Sequence, residues 1–122
     1  MTRYSKWNII LVPFPFTDLT TAKKRPALVV SPDSYNELGP DLVIAFLTSQ
    51  TKILPRPCDY PIQSWKESGL PRASLLRMKF ATIDCAIIEK KIGRLLEAER
   101  SCVQDVLRSF FLESGRLRTP SK

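Results

Sequence analysis

Two almost unbroken apolar runs stand near the front of the chain, "NIILVPF" (Asn8–Phe14) and "PALVVS" (Pro26–Ser31). Both are rich in β-branched residues and bounded by turn formers, which predicts two buried strands. The stretch between them, "PFTDLTTAKKR", reads as a polar loop with Asp and Thr turn chemistry. "SPDSYNELGP" (Ser31–Pro40) predicts a turn or one helical turn that stops at Gly39-Pro40. A third strand comes next in "DLVIAFLTSQ" (Asp41–Gln50), apolar until it breaks into Thr48, Ser49, Gln50 and Thr51.

The middle of the chain is more broken. "RPCDYPI" (Arg56–Ile62) fits a fourth strand that its prolines confine to a sheet edge. "SWKESG" (Ser64–Gly69) predicts one helical turn capped by Ser64, "ASLLRMKFATID" (Ala73–Asp84) a strand with a bulge, and "KIGRL" (Lys91–Leu95) a short strand. Only the last part repeats at helical spacing, through Val103, Val106, Leu107, Phe110 and Phe111, with Gly115 as the stop. The pattern predicts a mainly β (α+β) domain, a small and strongly curved sheet or barrel packed by a C-terminal helix. With 122 residues and no repeat or linker, a single domain is expected over 1–115, with a basic flexible tail at 116–122.

Charge changes the picture more than composition does. The formal net charge of +7 favours polyanionic partners: nucleic acid, an anionic membrane or an acidic protein segment. The longest apolar run, "IILVPFPF", has eight residues, far short of the ~20 that span a bilayer. Two prolines inside that run and Asp18 after it argue against a signal peptide, so a cytoplasmic protein is expected. Cys58, Cys85 and Cys102 are odd in number and widely spaced, and the chain has no histidine. No metal site is expected, and the cysteines read as three buried thiols acting as small hydrophobes.

Without histidine the commonest general acid–base group is missing, and no P-loop, GxGxxG or HExxH motif is present. Phosphodiester cleavage in RNA still lies within reach of this chemistry. The ribose 2′-hydroxyl is an internal nucleophile, so the protein need supply only orientation and charge stabilisation. Arg25 stands before Pro26, which holds it extended at the mouth of a strand. Lys23 and Lys24 precede it, and read better as solvated loop charges than as a site, whereas Arg25 fits either reading. Thr48, Ser49 and Gln50 end the third strand as hydrogen-bonding groups or as a plain hydrophilic turn. Arg77 and Lys79 share one face by period-two alternation. Phe14, Phe16, Phe46 and Phe80 lie near these groups in sequence, as base-stacking platforms or as core.

The residues also resemble a known family. "NIILVPFPFTDLTTAKKRPALVVSPDSYN" is similar to the opening of the MazF/PemK family of toxin endoribonucleases from bacterial toxin–antitoxin modules. A strand ending "LTSQ", then Gly69-Leu70 and Ser74, then "RMKFATID" and "KKIGRL", come in the family's order. The resemblance runs from about Ser5 to Phe111. It implies an SH3-like β-barrel of the PemK/CcdB kind with a C-terminal α-helix, usually a homodimer. It also implies sequence-specific cleavage of single-stranded RNA, mostly mRNA, without metal or cofactor, leaving a 2′,3′-cyclic phosphate and a 5′-hydroxyl.

By motif position, Arg25 matches the family's catalytic arginine, which would stabilise the phosphorane and protonate the leaving oxygen. Thr48 matches its catalytic threonine, which would orient the scissile phosphate. Arg77 matches a basic position of the RNA groove, with Lys23, Lys24, Ser49, Gln50 and Lys79 as neighbouring RNA-binding candidates. The implied partners are a cognate antitoxin with an acidic segment and, through it, operator DNA. Trp7-Asn8 stands where the family commonly has Gly-Asp, and Met78-Lys79 where some members place an acidic residue. These departures leave an alternative, a MazF-like module that binds nucleic acid or antitoxin with little or no cleavage. A gyrase poison on the same kind of barrel is disfavoured, since Arg25 and Thr48 would then have no reason to occur together.

Overall fold

The computed structural model of the chain describes residues 4–14, 23–49 and 56–112. Its elements are β1 (Asn8–Phe14), β2 (Lys23–Val29), α1 (Asp33–Asn36), β3 (Asp41–Ser49), β4 (Tyr60–Pro61), β5 (Ser74–Asp84), β6 (Lys90–Arg94) and α2 (Glu97–Leu112). The six strands form one antiparallel sheet in the order β4-β5-β3-β2-β1-β6. The sheet curls into a half-barrel with α2 beside it, the mainly β architecture that the pattern and the resemblance lead one to expect. Among the described residues no helix is long and apolar enough to cross a membrane.

Alternation along the strands explains why the apolar runs are unbroken. Ile9, Leu28, Ala45, Leu47 and Leu76 pack on one side with Leu95 and with Val103 of α2. Their neighbours Ile10, Val12, Ala27, Val29, Ile44 and Phe46 fill a second cluster on the other side, with Leu42 and Ile83. Strands covered on both faces have no need of polar positions.

Several boundaries differ from expectation. β2 begins at Lys23 and not at Pro26, so Lys23, Lys24 and Arg25 pair with Phe14, Pro13 and Val12. Ladder bonds are made by the backbone, and these three side chains stay exposed, so their charge does not oppose pairing. Of the expected edge strand at Arg56–Ile62 only Tyr60–Pro61 pairs. Ahead of it the Arg56 N–H donates to Asp59 Oδ2 at 2.7 Å and the Asp59 N–H to the Arg56 carbonyl at 3.0 Å, which is a turn.

The 64–69 stretch is a series of hydrogen-bonded turns and not a helix. Leu70 N–H donates back to Trp65, and Gly69 leaves the turn at φ +95°. The expected bulge lies in β5: Ala45 faces Phe80 but Leu47 faces Leu76, so three residues of β5 stand against Phe46. The cysteines are not buried: Cys58 and Cys85 are half-buried, Cys102 is exposed, and all are free thiols. Cys102 precedes the buried Val103, and one step around a helix turns it away from the core. On α2 the apolar stripe is buried at Val103, half-buried at Val106 and Leu107, and exposed at Phe110 and Phe111. Gly115 and the 115/116 boundary lie outside the described residues.

Three local features fix how the layers meet. Trp7 sits at φ +79°, in the region that favours glycine. Its N–H donates to Val29 and its carbonyl accepts from Leu95, each at 2.8 Å, while Asn8 Oδ1 accepts the Ser5 N–H at 2.9 Å. At Gly93 a Cβ would overlap the Ser68 carbonyl oxygen, which accepts the Arg94 N–H. The third feature is Glu99, a buried carboxylate on α2. It accepts the Tyr60 hydroxyl at 2.7 Å and the N–H groups of Gln63 and Ser64 at 2.7 and 3.0 Å. Burial, and then the bond to Glu99, push the Tyr60 hydroxyl well above the usual phenol range.

Glu99→Gln replaces an acceptor-only group with an amide that must turn a donor toward one of three donors. The expected outcome is a loss of about 2–3 kcal/mol, read as a lower denaturant midpoint at unchanged slope.

Candidate active site

One face of the sheet ends in charge. The side of β2 that carries Val29 and Ala27 continues to Arg25, and the side of β3 that carries Ile44 and Phe46 continues to Thr48. The β2–β3 ladder ends at Ala27–Phe46, and Arg25 and Thr48 each lie two residues beyond that pair, on the same side of their strands. Both line a cavity of about 190 Å³, together with Phe14, Phe46, Leu47, Arg56, Arg77 and Lys79.

Phe14 organises the cations. Its ring lies 4.9 Å from that of Phe46, with Lys79 Nζ at 4.9 Å and Arg25 Cζ at 5.8 Å from its centroid. Both cations stand within cation–π range, worth roughly 0.5–1 kcal/mol each at a partly exposed site. Arg77 is held differently, with Nη2 3.1 Å from Asp59 Oδ2 and the two side chains only 13% and 3% exposed. Asp59 Oδ2 also accepts the Arg56 N–H, so one carboxylate ties together two of the cavity's arginine positions. Among the described residues the lining holds four cations and no carboxylate, which makes the cavity a site for an anion.

The structure thus brings Arg25, Thr48, Arg77 and Lys79 together. Lys23 stands exposed at the start of β2, and Ser49 stands exposed opposite Ser74 at the end of β3; neither lines the cavity. Lys24 is turned to Glu89, 3.1 Å away in an exposed ion pair. Gln50 and Phe16 lie outside the described residues. Phe80 packs on Phe110 and Phe111 of α2, at 5.8 and 5.1 Å, and not on the cavity. Arg56 was not among the candidates, although Arg56-Pro57 repeats the Arg-Pro signal that marks Arg25. The Trp7-Asn8 departure lies at the other end of β1 from Phe14, roughly 20 Å along the strand. Among the described residues no three Cys, Asp or Glu side chains gather as metal ligands.

A family model described as "PemK-like, MazF-like toxin of type II toxin-antitoxin system" matches residues 5–111. Solved structures share the fold at low identity. An endoribonuclease in complex with its cognate antitoxin from a mycobacterial species superposes with a TM-score of 0.70 at 14% identity, over 89% of this chain and 93% of that one. The Mycobacterium tuberculosis toxin MazF-mt6 gives 0.68 at 18%, over 85% and 95%. A MazE–MazF structure from Deinococcus radiodurans gives 0.69 at 18%, over 92% and 98%. No curated protein sequence matches significantly.

The two ion pairs near this region differ in burial, and their coupling should differ with it. A double-mutant cycle on Asp59→Ala and Arg77→Ala should return a coupling above about 1 kcal/mol. The same cycle on the exposed Lys24–Glu89 pair should return less than about 0.5 kcal/mol.

Proposed function

Because the chain belongs to the family of PemK-like, MazF-like toxins of type II toxin–antitoxin systems, we propose that it is a cytoplasmic endoribonuclease that cleaves single-stranded RNA without a metal ion. The observation that carries this reading is the meeting of Arg25 and Thr48, from adjacent strands, in one cavity. In the proposed step the 2′-oxygen attacks phosphorus and the bond to the 5′-oxygen breaks. The proton lost by the 2′-hydroxyl is balanced by one gained at the 5′-oxygen. The products are a 2′,3′-cyclic phosphate and a 5′-hydroxyl.

The guanidinium of Arg25 matches two phosphate oxygens with its planar fork and stabilises the phosphorane. The Thr48 hydroxyl donates to the same phosphate and orients it. Arg56, Arg77 and Lys79 raise the local positive potential that draws the backbone in. The likeness to antitoxin-bound structures supports a second element of the proposal, an antitoxin whose acidic segment competes for this basic surface. A homodimer, and operator DNA reached through the antitoxin, complete the proposed assembly.

The binder-only alternative draws on Trp7-Asn8, and those residues line a different cavity from Arg25. A cleavage assay separates the two readings. Purified protein with a long single-stranded RNA and a chelator should give fragments bearing cyclic phosphate and 5′-hydroxyl ends. Arg25→Ala should lower the rate about 10²–10³-fold, with a similar loss for Thr48→Ala. Equal cleavage by Arg25→Ala would overturn the site, and intact RNA with salt-sensitive binding would favour the binder.

A further inference from the structure

We propose that a second cavity, between the Trp7 turn, β6 and the first turns of α2, holds one flanking nucleotide of the same RNA strand by its phosphate. This rests on the endoribonuclease reading and adds to it a second contact on the substrate. The cavity measures about 460 Å³, and Lys6, Trp7, Asp33, Lys91, Arg94 and Arg100 stand on its wall.

Charge is the first argument. Four cations reach this wall from three separate places: Lys6 ahead of β1, Lys91 and Arg94 on β6, and Arg100 on α2. Among the described residues of the wall Asp33 is the one carboxylate, and its Oδ1 already accepts the Lys6 backbone N–H at 2.9 Å. Arg100 is anchored through Nε to the Leu95 carbonyl at 3.0 Å, which fixes its guanidinium at the rim. An excess of fixed positive charge in a concave, polar space selects an anion.

The second argument is Trp7. Its backbone occupies a region where glycine would be unstrained, yet the indole is placed there, half-buried, with Lys6 Nζ 4.8 Å from the ring centroid. Residues held in sparsely populated backbone regions gather at binding sites. An aromatic face beside cations is the arrangement that single-stranded nucleic acid uses, with the base stacked and the phosphate paired. Basic clusters also capture acidic peptide motifs, and what favours a nucleotide here is the Trp7 ring on the same wall, a face on which a base stacks.

Position is the third argument. The cavity meets β1 at Asn8, roughly 20 Å along the strand from Phe14 and the Arg25 cavity. A few nucleotides of extended chain cover that distance. Engagement of one strand at both points raises affinity through effective concentration.

The test uses a Lys91→Gln/Arg94→Gln double variant, whose altered side chains are exposed and lie outside the Arg25 cavity. The probe is a mixed-sequence 2′-O-methyl oligoribonucleotide long enough to span both cavities. It cannot be cleaved, so failure of the proposed chemistry leaves the readout intact. Loss of two phosphate contacts should make the slope of log K against log salt shallower by about 1.4 and weaken low-salt binding roughly tenfold. In a Trp65→Phe background the same strand should quench Trp7 emission. An unchanged slope overturns the proposal. Quenching by a free nucleoside monophosphate at the strand's own affinity overturns the strand assignment in favour of a free nucleotide. A variant that loses polyglutamate binding but keeps the oligonucleotide overturns it in favour of an acidic peptide.

Discussion

Ala27 stands opposite Phe46 across β2 and β3, and that pairing decides where the charged groups lie. A slip of one residue would turn Arg25 to the side facing α2 and bring Lys24 toward the cavity. Polarity does little to prevent such a slip, because both faces of these strands are apolar. Size does more. Ala27 faces Phe46 and Leu28 faces Ala45, so each small residue meets a large one. Shifting the register one way sets Leu28 against Phe46, and the other way sets Ala27 against Ala45. One overfills the layer and the other leaves it hollow. The position of a guanidinium at the surface is therefore decided by methyl groups in the core.

The far wall of the cavity depends on buried polar bonds. The 56–60 segment has little regular structure of its own, and β4 adds only two residues to the sheet. Asp59 ties this segment to Arg77 of β5, while Tyr60, Gln63 and Ser64 tie the 60–64 stretch to Glu99. The helix thus reaches the cavity through one carboxylate. A charge buried with three donors around it has few alternative arrangements, and this rigidity suits a wall that must hold cations in place.

What could be read from the sequence is what depends on neighbours in sequence. β1 and β3 come from unbroken apolar runs, α2 from helical periodicity and their ends from turn chemistry, while Arg25 and Thr48 were matched by motif position. The start of β2 escaped because three charges in a row read as loop, whereas strand membership is decided by the partner strand. The Asp59–Arg77 and Tyr60–Glu99 contacts join segments far apart in the chain and leave no local trace. Glu99 carries a partial signal, since it lies four residues before Val103 and so on the buried stripe. The same geometry would have placed Cys102 outside. Helical phase is better evidence of exposure than residue type.

The grouping of cations around Phe14 also bears on the order of events at the site. Arg25, Arg56, Arg77 and Lys79 repel one another across the cavity, and the ring of Phe14 and the carboxylate of Asp59 offset only part of that. A phosphodiester carries one negative charge, while the phosphorane of the proposed reaction gathers a second on its equatorial oxygens. Cations fixed in advance therefore bind the phosphorane more strongly than the diester, and that difference is what accelerates a reaction. In the proposed reaction a neutral cavity of the same shape would hold the strand without favouring its cleavage. The cost of assembling like charges is met within the fold, by packing and by one buried carboxylate.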